Sequence, residues 1–310
     1  MLLKKSFSIL LTIIFVCTTL LIQFSWAADA SQSTLLKNLA QVETALYGQV
    51  QEKPLIERVE SLEKELVGRT LPGTITSRVE QLKEFIILGT PEDTSINFKI
   101  NVSQWILEDK ITSGPIANRI ENLENVLFGE ISDDVLAMRA ESIFGVCFKE
   151  GKPTIEEVII PSGTLIPIRF QSTISSKDSV QGDIFTYQVV KDMFIGNKLV
   201  IPAETSGVGE IIKVKKATIL SRPGELELNF NIIPALDGTP LNLIMGKKSE
   251  EENQRLYMAV GAGILGFIIL SNPVGLAFGA LIPGKNVEIE QGTEMFLQLE
   301  SDVSVIGLIR

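Results

Sequence analysis

The chain reads as an α+β protein. An N-terminal array of short helical repeats, with a period of about 20 residues, precedes a small antiparallel β-barrel or sandwich that carries an inserted apolar helical hairpin. Three observations predict this. Four segments between 35 and 129 can be laid over one another, the composition turns to Val, Ile, Thr and turn residues from about Thr154, and the stretch 256–284 contains no charged side chain.

The repeats come first. "LIERVESLEKELVG" (55–68), "ITSRVEQLKEFIILG" (75–89) and "IANRIENLENVLFG" (116–129) align, and "LLKNLAQVETALYG" (35–48) matches with Asn38 in the arginine position. Gly48, Gly68, Gly89 and Gly129 close the copies, while Arg58, Arg78, Arg119 and Arg139 recur inside them. Each copy explains itself as one helix. Leu55, Val59, Leu62 and Leu66 fall on one face, and Gly68 follows where a left-handed cap needs no side chain. Pro54, Pro72 and Pro115 sit in the connections, where they stop or start helices. A lone helix of ~13 residues is marginal in water, so its stripe must pack on a neighbour, another subunit or a surface. The repeat arginines are expected to be structural, pairing with carboxylates on adjacent repeats. One copy between 90 and 114 is weak. Ile96, Phe98, Ile100 and Val102 alternate like a strand, whereas Trp105 and Ile106 look helical, and Trp105 reads as a packing anchor.

The helical region spans 31–150, and 154–310 forms the β domain. The segments 164–172, 183–190, 198–202, 207–216, 225–233 and 240–246 read as strands. Gly196-Asn197 and Asp237-Gly238 are hairpin-type turn pairs. "IPSGTLIPIRF" (160–170) recurs loosely as "IEQGTEMFLQL" (289–299), so the last segment should pair within the same β domain.

The stretch 256–284 is therefore an insertion between strands of one domain. A single membrane crossing would separate strands that must share a sheet, but a hairpin that returns to the same side would not. Pro273 marks its midpoint. As helices its arms, 257–270 and 274–282, reach about 14–21 Å at ~1.5 Å per residue, short of a ~30 Å hydrocarbon core. Ala259 and Gly263, Ala262 and Gly266, and Gly275 and Gly279 are small residues four apart, a spacing that lets helices approach closely. The expectation is an element that associates with a membrane or drives self-association. A hairpin buried as core is the alternative.

The opening residues, "MLLKKSFSILLTIIFVCTTLLIQFSWAADA", have the pattern of a secretory signal peptide over 1–27, with cleavage after Ala27 or Ala30, and an uncleaved anchor helix is the competing reading. Cell-envelope or periplasmic localisation follows. The sequence has 28 Lys and Arg against 38 Asp and Glu, a net charge of −10, and loss of Lys4 and Lys5 takes this to −12. Without clustered basic residues, nucleic acid is not an expected partner. Cleavage would also leave Cys147 alone, without a disulfide partner, and its Val146 and Phe148 neighbours suggest a buried, inert thiol. There are no histidines. That removes Ser-His-Asp and Cys-His catalysis and His-containing zinc sites.

The landmarks "IPSGTLIPIRF", "GNKLVIPAETSGVGEI", "LDGTPLNL" and "VGAGILGFIIL…GLAFGALIPG" resemble a set of exported bacterial envelope proteins with a glycine-zipper-bearing β domain. More distantly, they are similar to the C-terminal β-barrel of the outer-membrane-pore subunit of type IV secretion systems. The latter resemblance implies an inserted helical hairpin that enters a membrane as part of a ring. The chain departs from it in lacking a proline-rich linker. No cofactor is expected. The reading is a non-enzymatic envelope protein whose helical repeats contact a partner and whose glycine-rich hairpin associates with a membrane or drives oligomerisation, the partners being another envelope protein, a membrane or further copies of itself. Two alternatives are a soluble periplasmic binding module and a carboxylate-dependent hydrolase of a cell-wall polymer.

Overall fold

The computed structural model describes residues 33–148, 153–218, 222–260, 267–272, 275–280 and 284–309. The leader-like segment 1–27 lies outside them. Helix α1 covers 33–47. It is followed by α2 (Leu55–Val67), α3 (Ile75–Lys83, continuing as a π-turn over Glu84–Leu88), α4 (Ile96–Glu108), α5 (Ile116–Leu127) and α6 (Leu136–Cys147). Their apolar stripes converge on one core that runs from Leu35, Leu39 and Leu46 through Val59, Leu62 and Leu66 to Ile120, Leu123 and Ile143. Burying a leucine of this kind stabilises by roughly 2 kcal/mol. The stripes offered by the repeat pattern are thus consumed internally.

Helix ends follow the repeat. Gly48, Gly68, Gly89 and Gly129 all have positive φ, and Gly68 N–H donates to the carbonyls of Glu63 and Lys64. The copy ending at Gly89 is one residue longer than the others, and the π-turn absorbs it: Gly89 N–H reaches Glu84 O, five residues back, at 2.8 Å.

The ambiguous copy is helical. Ile96 and Ile100 enter the helical core, whereas Phe98 and Val102 enter a second cluster shared with the β domain. A helix buried on two opposed faces shows apolar residues at every second position, which imitates a strand. Its cap is Asp109 (φ 56), whose N–H donates to Trp105 O at 3.0 Å. Aspartate tolerates this left-handed conformation, so no glycine marks the copy.

Among the described residues, fifteen strands follow. A four-stranded antiparallel sheet has the order β1 (Ile155–Ile160), β15 (Val303–Ile309), β6 (Lys198–Ile201), β5 (Met193–Ile195). The short pair β3 (Ile174–Ser175) and β13 (Glu288–Ile289) stands apart. The larger, nine-stranded sheet begins with β11 (Phe267–Asn272), β12 (Gly275–Ala280), β8 (Glu225–Asn229) and β7 (Ser206–Lys215). It continues with β4 (Ile184–Val189), β2 (Leu165–Phe170), β14 (Glu294–Leu299), β10 (Pro240–Ile244) and β9 (Ile232–Pro234). It curls as a half-barrel, bringing Ile233 of β9 against Gly207 of β7. The small sheet is a middle layer: Val200 and Val305 face the large sheet's core, and Leu199, Ile306 and Leu308 face α4. The last helix, α7 (Lys247–Val260), links β10 to the hairpin region.

The sequence echo at 160–170 and 289–299 is a strand pair. β2 and β14 are antiparallel neighbours, and the two Gly-Thr turns bracket them: Gly163 N–H donates to Leu299 O and Gly292 N–H to Phe170 O, both at 2.8 Å. Gly196 has φ +64 in the two-residue turn between β5 and β6. The strand expected over 225–233 is divided at Asn231 (φ 39) into β8 and β9. Gly207 and Gly209 pair with Tyr187 and Phe185, and a Cβ at either glycine would come within 2.3 Å of the opposing ring. Their missing side chains make room for an aromatic cluster with Phe170 and Phe230.

One expectation is corrected. The described parts of the apolar insertion are strands rather than helical arms: β11 and β12 pair antiparallel from Phe267↔Ala280 to Asn272↔Gly275. The run Phe267-Ile268-Ile269 is aromatic and β-branched, and its partner strand finds a ready ladder on β8. The four-residue spacing of small residues, read as a helix-packing signal, does not fix a period in so short a segment.

Candidate functional site

Two places gather the residues singled out by the sequence. The first is the arginine column of the helical array. Arg58 donates to Glu43 at 2.8 and 2.5 Å, Arg78 to Glu63 at 2.7 and 2.5 Å, and Arg139 to Glu124 at 2.9 and 2.7 Å. Each partner stands fifteen residues earlier, in the preceding helix. The glutamates are almost fully buried. A buried carboxylate needs such charge-assisted, two-pronged contacts to repay its lost hydration. In turn they hold the three guanidiniums above their usual pKa.

The column has two exceptions. In the third copy Lys83 occupies the glutamate position and donates to Asn38 Oδ1 at 3.0 Å. In the fourth, Gln104 replaces the glutamate, and Arg119 donates to its Oε1 at 2.8 Å through Nε and to Asn101 Oδ1 at 2.6 Å through Nη2. Arg119 is 6 % exposed, and burial pushes its guanidinium down to about 10. Pairing with carboxylates on adjacent repeats was expected from sequence, but the particular glutamates were not singled out. Their signal was there: Glu43, Glu63 and Glu124 each follow an apolar stripe residue (Val42, Leu62, Leu123).

The second place is the hairpin. Asn253 of α7 uses both ends of its amide on the backbone of Phe296, accepting its N–H at 2.7 Å and donating to its carbonyl at 2.8 Å. This ties the approach helix to β14. On the far side of the sheet, β12 pairs with β8, placing Gly279 opposite Glu225 and Ala277 opposite Glu227. Lys213 lies 3.7 Å from Glu225 and 3.6 Å from Glu227, and Lys215 also contacts Glu225, which holds that carboxyl below its usual value. The charge stops there. Beyond β8, the twelve positions of β12 and β11 carry no ionisable side chain, and among the described residues β11 has no strand on its outer edge.

Of the hairpin residues named from sequence, Gly275 and Gly279 lie on β12 and Ala259 lies in α7. Ala262, Gly263, Gly266 and Pro273 fall outside the described residues. Gly275 and Gly279 stand on a strand, so that pair is not a helix contact. Trp105 is a packing anchor between the layers, with Nε1 donating to Asp192 Oδ2 at 3.1 Å. Cys147 is half-buried rather than fully buried, and desolvation pushes its thiol up. Among the described residues no helix is long and apolar enough to cross a membrane.

No family model matches the chain, and no curated protein matches it. Among the solved structures that do, ComB10 of the Com type IV secretion system of Helicobacter pylori is 16% identical over 47% of this chain and 90% of that one, with a TM-score of 0.26.

Proposed function

We propose that the protein is a non-enzymatic structural and interaction protein of the cell envelope, exported through its leader-like first 27 residues. The helical array braces a β half-barrel. The apolar hairpin at the sheet edge is the element through which it engages a membrane or further copies of the chain. One observation supports this most: the charge ladder of the large sheet ends at β8, and the uncharged pair β12–β11 extends the sheet to an edge without a described neighbour. Edge strands ordinarily carry charges, prolines or bulges that discourage further pairing. Phe267–Asn272 has none of these residues.

Strand geometry shapes the reading further. Six residues of strand span about 20 Å, and an open edge cannot sit in hydrocarbon with its N–H and C=O groups unpaired. Membrane entry by this hairpin would thus require other copies to complete the ladder. The test is vesicle flotation of the leader-free chain with and without 261–283, after circular dichroism establishes that both retain the β domain. Flotation of the intact chain alone supports the reading. A soluble intact chain that unfolds on deletion would instead make the hairpin core.

A further inference from the structure

Three of the four repeat arginines are neutralised by a glutamate, and Arg119 is not. Its Nε and Nη2 are occupied by the neutral acceptors Gln104 and Asn101, and Nη1 makes no hydrogen bond among the described residues. Glu108 acts on the guanidinium through charge alone, without a hydrogen bond. A cation so deeply buried and without a bonded counter-ion is costly, and the cost falls if an anion enters from outside.

The surroundings suit one. Arg119 lines a cavity of about 230 Å³ between the helical layer and the β domain, walled also by Thr112, Ser113, Gly114, Thr205 and Ser206. Among the described residues no Asp or Glu lines it, and Arg119 is its only charged wall residue. The hydroxyl roles are settled by their neighbours. Gln104 Nε2 donates to Thr112 Oγ1 and Gln188 Nε2 donates to Ser206 Oγ, so both hydroxyls keep their own hydrogen to give. Thr205 spends its hydrogen on Pro202 O. Gly114 (φ +126) has open space where a side chain would stand.

We propose that this cavity binds a small oxyanion, a carboxylate or phosphate group, held by Arg119 with Thr112 and Ser206 as hydroxyl donors. The anion stands in for the glutamate that the fourth repeat lacks. It also bridges α5, which begins just after Gly114, to the start of β7 at Ser206.

The full chain, prepared in a chloride buffer free of other oxyanions, is titrated calorimetrically with inorganic phosphate and, separately, with succinate. Saturable one-to-one binding of either probe is expected, and which one binds distinguishes a phosphate from a carboxylate ligand. Gln104→Glu supplies an internal counter-ion in the arrangement of the other repeats. It should raise Tm in chloride buffer and weaken oxyanion binding by roughly tenfold or more. Ser206→Ala, which leaves the Arg119 contacts intact, should also weaken binding. No saturable binding of either anion by the wild-type chain, or binding by Gln104→Glu equal to wild type, would overturn the proposal.

Discussion

Arg139 holds the buried carboxylate of Glu124 through two hydrogen bonds, of 2.9 and 2.7 Å, across the joint between two successive helices. The same relation recurs at Arg58–Glu43 and Arg78–Glu63. An apolar stripe lets neighbouring helices rotate and slide over one another at small cost. A buried ion pair does not, because displacing either member strands a charge. The column therefore sets the register of the array.

Removing one member should cost more than removing both. Arg139→Ala is expected to destabilise by about 3–5 kcal/mol, since it leaves Glu124 charged and buried. The double variant Arg139→Met/Glu124→Leu should recover most of that loss. Urea unfolding of Arg139→Met, Glu124→Leu and the double variant completes the cycle, and additive losses would show that the pair is not coupled.

The capping glycines are not equivalent. A Cβ on Gly89 would lie 2.3 Å from the backbone nitrogen of Ser95, while one on Gly129 would meet nothing within 4 Å. Gly129→Ala should therefore cost only the left-handed backbone penalty, about 1 kcal/mol. Gly89→Ala should cost more than about 2 kcal/mol, because main chain must move. Thermal melts of the two variants check the order.

Asp237 gives a pH signature. Its carboxyl accepts the N–H of Ile306 and of Thr239 at 2.8 and 2.9 Å, yet burial outweighs these bonds and raises its pKa above the ordinary 3.8. With the folded value raised, the native state keeps this proton while the unfolded chain loses it. The contribution of Asp237 to stability thus falls as pH climbs from about 4 through the folded midpoint, and is flat below both values. Subtracting the stability curve of Asp237→Ala from that of wild type should reveal this downward slope. An upward slope would reverse the assignment.

The outer edge of β11 can be probed with proline. Backbone N–H groups alternate sides along a strand, so of Ile269→Pro and Leu270→Pro one should break the pairing with β12 and the other should remove only an outward donor. The second variant should remain folded and lose self-association. Light scattering of both variants reads this, and equal self-association in the folded variant and wild type would remove the edge from consideration.

Much of the fold was legible because it is local or periodic. Helix positions, the closing glycines and the arginine column follow from a repeat that any correct fold must honour, and the Gly-Thr echo foretold that 289–299 would return to the same β domain, though not that it would pair with 160–170. Two elements were not legible. The alternation in Ile96–Val102 has the period of a strand, and only the packing of α4 between the helical core and the small sheet shows why a helix carries it. The apolar run near 270 has no polar face to display its period, so its local pattern fits helix or strand equally.

What the sequence determined by itself was where the helices of the clear repeats begin and end, which of their faces are apolar, and which chemistries the absence of histidine removes. Tertiary structure decided the partners. Glu43, Glu63 and Glu124 become counter-ions only when the preceding helix lies alongside, because fifteen residues separate each from its arginine and no helical face spans that interval. Likewise β12 is a strand because β8 offers it a row of unpaired backbone groups. Gln104 leaves Arg119 without a counter-ion for the same reason: charge balance at a buried site belongs to the neighbours that folding brings together, not to the residue that carries the charge.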